Sequence, residues 1–120
     1  MDELLVEKVL RCAELVPAGR VASYGDVASI VGTRPRLVGR VMAQWGSQVC
    51  WWRITNHSGD LPSHLLAEAE PHWRAEGITL KPNGRGCRFA DHRADLDELN
   101  DQWQRATNDL TDQRPDRPMT

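Results

Sequence analysis

The sequence predicts a mainly α fold with one small β-hairpin, organised around a helix-turn-helix. Three observations carry this expectation. Near the N-terminus Leu5, Val9, Cys12 and Val16 recur at helical spacing and form one apolar stripe. Two short amphipathic stretches follow, separated by Gly32 and Thr33, the pattern of two helices joined by a glycine-containing turn. Further on, ITLKPNGRGCRF sets two short strand-like runs either side of an Asn83-Gly84 pair, a hairpin signal.

Each element has a local reason. The first helix, over 3–16, is ended by Pro17 and Gly19. Ser23 is followed three residues later by Asp26, a capping box with Asp in place of the usual Glu. A helix over 24–31 should follow, stopped by Gly32. Thr33 offers the next N-cap and Pro35 suits a first turn, so a helix runs over 34–43. Leu37, Val38, Val41 and Met42 should face inward there. Arg36 and Arg40 are four apart and share a solvent-facing ridge. SQVCWWRITN (47–56) reads as extended and largely buried, and HSGDLPSH (57–64) as loop. A short helix is expected over 71–77 with Trp73 inward. A terminal helix is expected over 95–110, where Leu96, Leu99 and Trp103 share a face. The polar, proline-containing end TDQRPDRPMT should be disordered. The expected organisation is a domain over 1–94, then a C-terminal helix and tail over 95–120.

Composition bounds the chemistry. The 120 residues suit one domain, and a 40% hydrophobic content can build a core without disulfides or metal. No apolar run approaches the roughly 20 residues of a membrane span. MDELLVEKVLR begins acidic and amphipathic, unlike a signal peptide, so the expected location is cytoplasmic. Cys12, Cys50 and Cys87 are odd in number and lack C-x-x-C spacing. That argues against a disulfide framework or a zinc site and for free thiols. The net charge of −2 conceals an uneven distribution. Residues 16–56 hold five arginines (Arg20, Arg34, Arg36, Arg40, Arg53) against one acid, Asp26, a net of +4, while the chain from Asp91 on is rich in aspartate. The arginine ridge of the second helix stands where helix-turn-helix motifs meet DNA. No cofactor or metal is called for, and a monomer is expected.

The stretches VPAGRVASYGDVASIVG, PRLVGRVM, CWWRITN and AEG, in this order, resemble the DNA-binding domain of O6-alkylguanine-DNA alkyltransferases. The family pattern runs VP-x-G-x-V-x-(S/T)-Y-G-x-(V/I)-A, then A-R-x-V-G, then P-C-H-R-V, then a helix ending in E-G. The resemblance covers roughly residues 3–90, and its specificity lies in the order and spacing of four blocks. It implies a winged-helix-like fold. The departures matter most. The family's alkyl-accepting cysteine falls at Trp51 and its general-base histidine at Trp52. Repair needs a thiolate made by a histidine relay, and a Trp-Trp pair supplies neither. The chain is therefore similar to the non-catalytic alkyltransferase-like branch, which binds alkylated guanine and passes the lesion to nucleotide excision repair.

The resemblance implies a role for each candidate residue. Arg36 is the finger that fills the gap left by a flipped base, and Tyr24 helps rotate the target nucleotide. Ser23 and Arg40 contact phosphates. Trp51 walls the alkylguanine pocket, with Tyr24, Arg53 and His64 beside it; Arg53 buttresses the site and His64 stands at the lip. Trp52 is expected in the core. Glu76, at the E-G position, has lost its histidine partner and is expected to be structural. The implied partner is duplex DNA containing O6-alkylguanine, read through the minor groove, followed by nucleotide excision repair proteins. Two alternatives stay open: a helix-turn-helix regulator of undamaged DNA, and an atypical alkyltransferase using Cys50. An extended segment would turn Cys50 away from the face that carries Trp51.

Overall fold

A computed structural model of the chain describes residues 2–111. The predicted tail, 111–120, lies outside the described residues apart from the backbone of Thr111. The elements are α1 (Glu3–Leu15), β1 (Ala22–Ser23), α2 (Tyr24–Val31), α3 (Pro35–Trp45), β2 (Ile54–Thr55), α4 (Ser63–Ala75), α5 (Phe89–His92), α6 (Leu96–Ala106) and α7 (Asn108–Thr111). Short 3₁₀ turns at Gly46–Gln48 and Trp51–Arg53 join α3 to β2. Among these elements no helix is long and apolar enough to cross a membrane.

The mainly helical architecture and the helix-turn-helix are as expected. The Ser23 hydroxyl accepts from the Asp26 amide and an Asp26 carboxylate oxygen accepts from the Ser23 amide, each at 3.0 Å, which completes the capping box and starts α2. Gly32 ends α2 at φ 90°, a left-handed conformation that favours glycine. The N-cap of α3 is Arg34, not Thr33, and no side chain caps it. Pro35 at the first helical position has no amide hydrogen to satisfy, so the helix starts there regardless. Val38 and Val41 are fully buried and Met42 packs on the core as expected, but Leu37 is only half-buried and joins neither core cluster.

Three local expectations are corrected. The 47–56 segment is extended only at Ile54–Thr55; before that it coils through the two 3₁₀ turns. The fourth helix begins at Ser63, not near residue 71, and runs through Pro71. A proline inside a helix forgoes one backbone hydrogen bond, and burial of Ala69 and Trp73 on one face offsets that loss. The hairpin is reduced to antiparallel bridges, Leu80 with Cys87 and Asp60 with Gly86, closed by Lys81 N–H to Gly86 O and Arg88 N–H to Thr79 O. The sheet proper is parallel, pairing Ala22 with Ile54 and Ser23 with Thr55.

Two apolar clusters hold the fold. The larger joins α1, α2, α3 and α6 through Val9, Cys12, Val27, Val38, Leu99 and Trp103. The smaller gathers Val21, Leu61, Ala69, Trp73, Ile78 and Cys87 around α4. The β1–β2 pair runs between them, with Val21 in one cluster and Ala22 and Ile54 in the other. On its far side the strand is tied to the 92–94 segment, where Val21 N–H donates to His92 O and Ala94 N–H to Val21 O. Trp103, from the C-terminal helix, is 6% exposed, and its indole donates to Lys8 O at 2.9 Å. Trp103→Ala should therefore cost about 3–5 kcal/mol, visible as a lower urea midpoint with an unchanged slope.

Candidate nucleic-acid interface and pocket

Helix α3 presents two chemistries on one broad face. Arg36 and Arg40 are exposed, one turn apart. Gly39 and Ala43, each three residues on, line a cavity. A helix places i, i+3, i+4 and i+7 on one side, so the arginines run along the rim of the cavity. Arg34 is exposed just ahead of them. The charge of Arg53, by contrast, is consumed inside the protein, as described below.

The cavity has a volume of about 220 Å³. Tyr24 and Met42 line it together with Trp51, Leu61 and Leu65. The first pair packs on the larger cluster and the rest belong to or pack on the smaller, so the cavity lies at the seam of the two cores. Tyr24, the first residue of α2, lies against Gly39, where an added Cβ would be 3.9 Å from its ring. Burial pushes the Tyr24 hydroxyl pKa up, so it stays protonated at neutral pH. The lining also includes two ionisable residues of α4, His64 and Glu68.

Trp51 and Trp52 diverge because they sit in a 3₁₀ turn. With three residues per turn, neighbours point about 120° apart rather than alternating across a strand. Trp51 lines the cavity. Trp52 is half-buried rather than fully in the core, and stacks on the His72 ring at 3.7 Å with 7° between planes. Trp51 meets both rings edge-on, at 5.8 Å from Trp52 and 6.0 Å from His72. Cys50 is half-buried and does not line the cavity. Cys12 and Cys87 are buried thiols, pushed up by burial to about 12 and about 11.

Behind the Trp pair lies Glu76. Its carboxylate accepts from Trp52 Nε1 at 3.0 Å, from Arg53 Nε at 3.0 Å and from the Gly19 amide at 3.0 Å, and it is ion-paired with the Arg53 terminal nitrogen. Arg53 also donates to Val16 O at 2.9 Å, and its guanidinium lies 5.5 Å from the centre of the Trp52 ring. Arg53 does not line the cavity; it braces the turn that carries Trp51. Partial burial favours protonated Glu76, but the hydrogen bonds from Arg53, Gly19 and Trp52 outweigh it and hold the carboxyl below its usual range.

The fold thus gathers Tyr24, Trp51 and His64 at one cavity and sets Arg36 and Arg40 beside it, while Arg53 stands behind the wall. Ser23 is 5% exposed and occupied with capping α2. Sequence reasoning overlooked Glu68 and His72, which follow His64 at four-residue spacing along α4. A helix starting at Pro71 would not contain that spacing, whereas the observed helix runs from Ser63 through Pro71 and does. Among the described residues no group of His, Cys, Asp and Glu could hold a metal ion.

A helix-turn-helix with an exposed arginine edge on its second helix defines a protein of the DNA-binding class. The chain belongs to the family described as 6-O-methylguanine DNA methyltransferase, DNA binding domain, whose model matches residues 5–78. Its fold is similar to that of S. pombe Atl1, whose crystal structure is in complex with damaged DNA containing O6-carboxymethylguanine. The TM-score is 0.63 at 23% sequence identity, over 82% of this chain and 95% of that one. No curated protein sequence matches the chain.

Glu76 yields a stability prediction. A carboxyl whose folded pKa is depressed contributes stability above the ordinary carboxylate range, and the contribution is lost as pH falls through the folded value. Glu76→Gln should lower stability at neutral pH by about 2 kcal/mol, because Arg53 loses its counter-charge. Below about pH 4.3 the wild type should lose stability with falling pH more steeply than the variant. Urea denaturation at several pH values reads both.

Proposed function

We propose that this protein recognises O6-alkylguanine in duplex DNA, holds the flipped base in the cavity, and leaves the alkyl group in place. The observation that carries the reading is Trp51 on the cavity wall, at the position where the alkyltransferase resemblance expects a nucleophilic cysteine. A neutral indole is a far weaker nucleophile than the thiolate that displacement of the alkyl group requires. Trp52 stands where the same resemblance expects the base, and its nitrogen already donates to Glu76. An indole N–H is a donor only, so no proton relay can form through it.

The dimensions support a base-sized occupant. An engineered apolar cavity of about 150 Å³ admits benzene, and this one is about 220 Å³, with room for a fused two-ring base. Flipping a base costs a few kcal/mol. Stacking on an aromatic wall is worth about 1–3 kcal/mol per base, and phosphate contacts add a salt-dependent contribution. Arg36 enters the duplex and occupies the gap, Tyr24 guides the rotating nucleotide, and Arg40 holds the backbone, while Ser23, buried in the cap of α2, is left to position Tyr24. His64 stands at the lip, and Arg53 supports Trp51 from behind. Minor-groove docking suits this task, because base identity is poorly coded there. The lesion, once held, is passed to nucleotide excision repair.

The deciding experiment pairs two duplexes that differ only in the O6 substituent, titrated at stated salt. The damaged duplex should bind at least about tenfold tighter, or about 1.4 kcal/mol; equal affinities would identify a regulator of ordinary DNA instead. With isotopically labelled O6-methyl, no label should reach the protein, and label on Cys50 would overturn the reading. Trp51→Ala should abolish most of the preference for damage while sparing binding to undamaged DNA. Arg36→Ala should weaken damaged-duplex binding by about tenfold or more, and normal binding by that variant would remove the finger assignment. Trp51→Cys should not gain methyl transfer, because Trp52 still fills the position of the base.

A further inference from the structure

We infer that Glu68 selects among adducts by charge, admitting neutral and cationic O6 substituents and disfavouring anionic ones. This rests on the binding reading above and extends it to the class of lesion. The cavity lining is apolar apart from Tyr24, Ser47, His64 and Glu68. Of these, Glu68 is the one acid. Helix α4 and its C-cap carry three acids, and two are neutralised: Glu70 by Arg74 and Glu76 by Arg53. No hydrogen bond or ion pair engages the Glu68 carboxylate among the described residues. Its neighbours along the helix face are His64 one turn before and His72 one turn after, and His72 is stacked on Trp52.

The physical consequence follows from position. A base lying against Trp51 and Tyr24 directs its O6 substituent within the same cavity that Glu68 lines. Glu68 is solvent-exposed at the edge of the apolar cavity, and a second charge held within about 4 Å of its carboxylate feels it by about 1 kcal/mol, or about fivefold in affinity, even at the dielectric of water. A methyl group ignores it. A carboxymethyl group meets a like charge, and an aminoethyl group meets an opposite one. Discrimination by a placed repulsive charge requires no added contact with the favoured ligand. The S. pombe protein was crystallised with DNA containing O6-carboxymethylguanine, the adduct this chain is expected to disfavour.

The test uses the full chain and four duplexes carrying guanine, O6-methylguanine, O6-carboxymethylguanine or O6-(2-aminoethyl)guanine at one site. Titrations are run near about pH 7.5, above the ordinary imidazole range, at about 0.15 M salt. The wild type should bind the carboxymethyl duplex about fivefold more weakly than the methyl duplex, and the aminoethyl duplex about fivefold more tightly. Glu68→Gln should erase both differences while keeping the preference for methylguanine over guanine. Glu68→Lys should reverse the order of the two charged adducts. If Glu68→Gln leaves the ratios between adducts unchanged, the inference fails and the binding reading stands. If the wild type does not prefer methylguanine over guanine, both fall.

Discussion

The carboxylate of Glu76 receives hydrogen bonds from two separate stretches of chain: the turn after α1 through Gly19, and the turn ahead of β2 through Trp52 and Arg53. Glu76 itself closes α4 as its C-cap. One side chain therefore fixes the end of the first helix, the tight turn and the fourth helix against each other. The Trp51 wall depends on this arrangement, since Trp51 is the neighbour of the residue being held. The donor at position 52 is an indole, which neither titrates nor accepts a proton. The site has the rigidity of a relay and none of its proton chemistry.

Rigidity at this point has a use beyond stability. The cavity lies where two apolar clusters meet, and its lining is drawn from both. A seam of that kind keeps its shape only if the clusters are tied together. The β1–β2 pairing and the Glu76 interactions are such ties. Helix α3 then couples the surface to the interior, because Arg36 and Arg40 lie on the face that Gly39 and Ala43 turn to the cavity. In the proposed function, docking of the arginine edge and filling of the pocket would be two contacts of one helix.

Much of the fold was legible because its signals are local. The Leu5–Val9–Cys12 stripe, the Ser23–Asp26 box and the Gly32 stop each act within one or two turns, and each is found as read. The errors arose where local signals conflict with packing. Pro71 reads as a helix start, yet the buried face formed by Ala69 and Trp73 carries the helix through it. The hydrophobic run around Val49–Ile54 reads as a strand, yet only two residues find a partner strand. The rest coil into 3₁₀ turns, and this is what separates Trp51 from Trp52. The conclusion that Cys50 stays out of the pocket holds, but strand alternation is not the cause.

By itself the sequence determined the helix-turn-helix, the placement of Arg36 and Arg40 on one ridge, and two adjacent indoles at the positions where the alkyltransferase resemblance expects a thiol and an imidazole. These follow from residue identity and short-range spacing. Only the tertiary structure decided which of the arginines remains available and which is spent on Glu76, that Trp52 has a hydrogen-bond partner, and that Glu68 borders the cavity. Those outcomes join positions 19, 52, 53 and 76, or 24, 51 and 68. Residues so far apart along the chain are brought together by the burial of apolar faces, which short-range spacing does not encode.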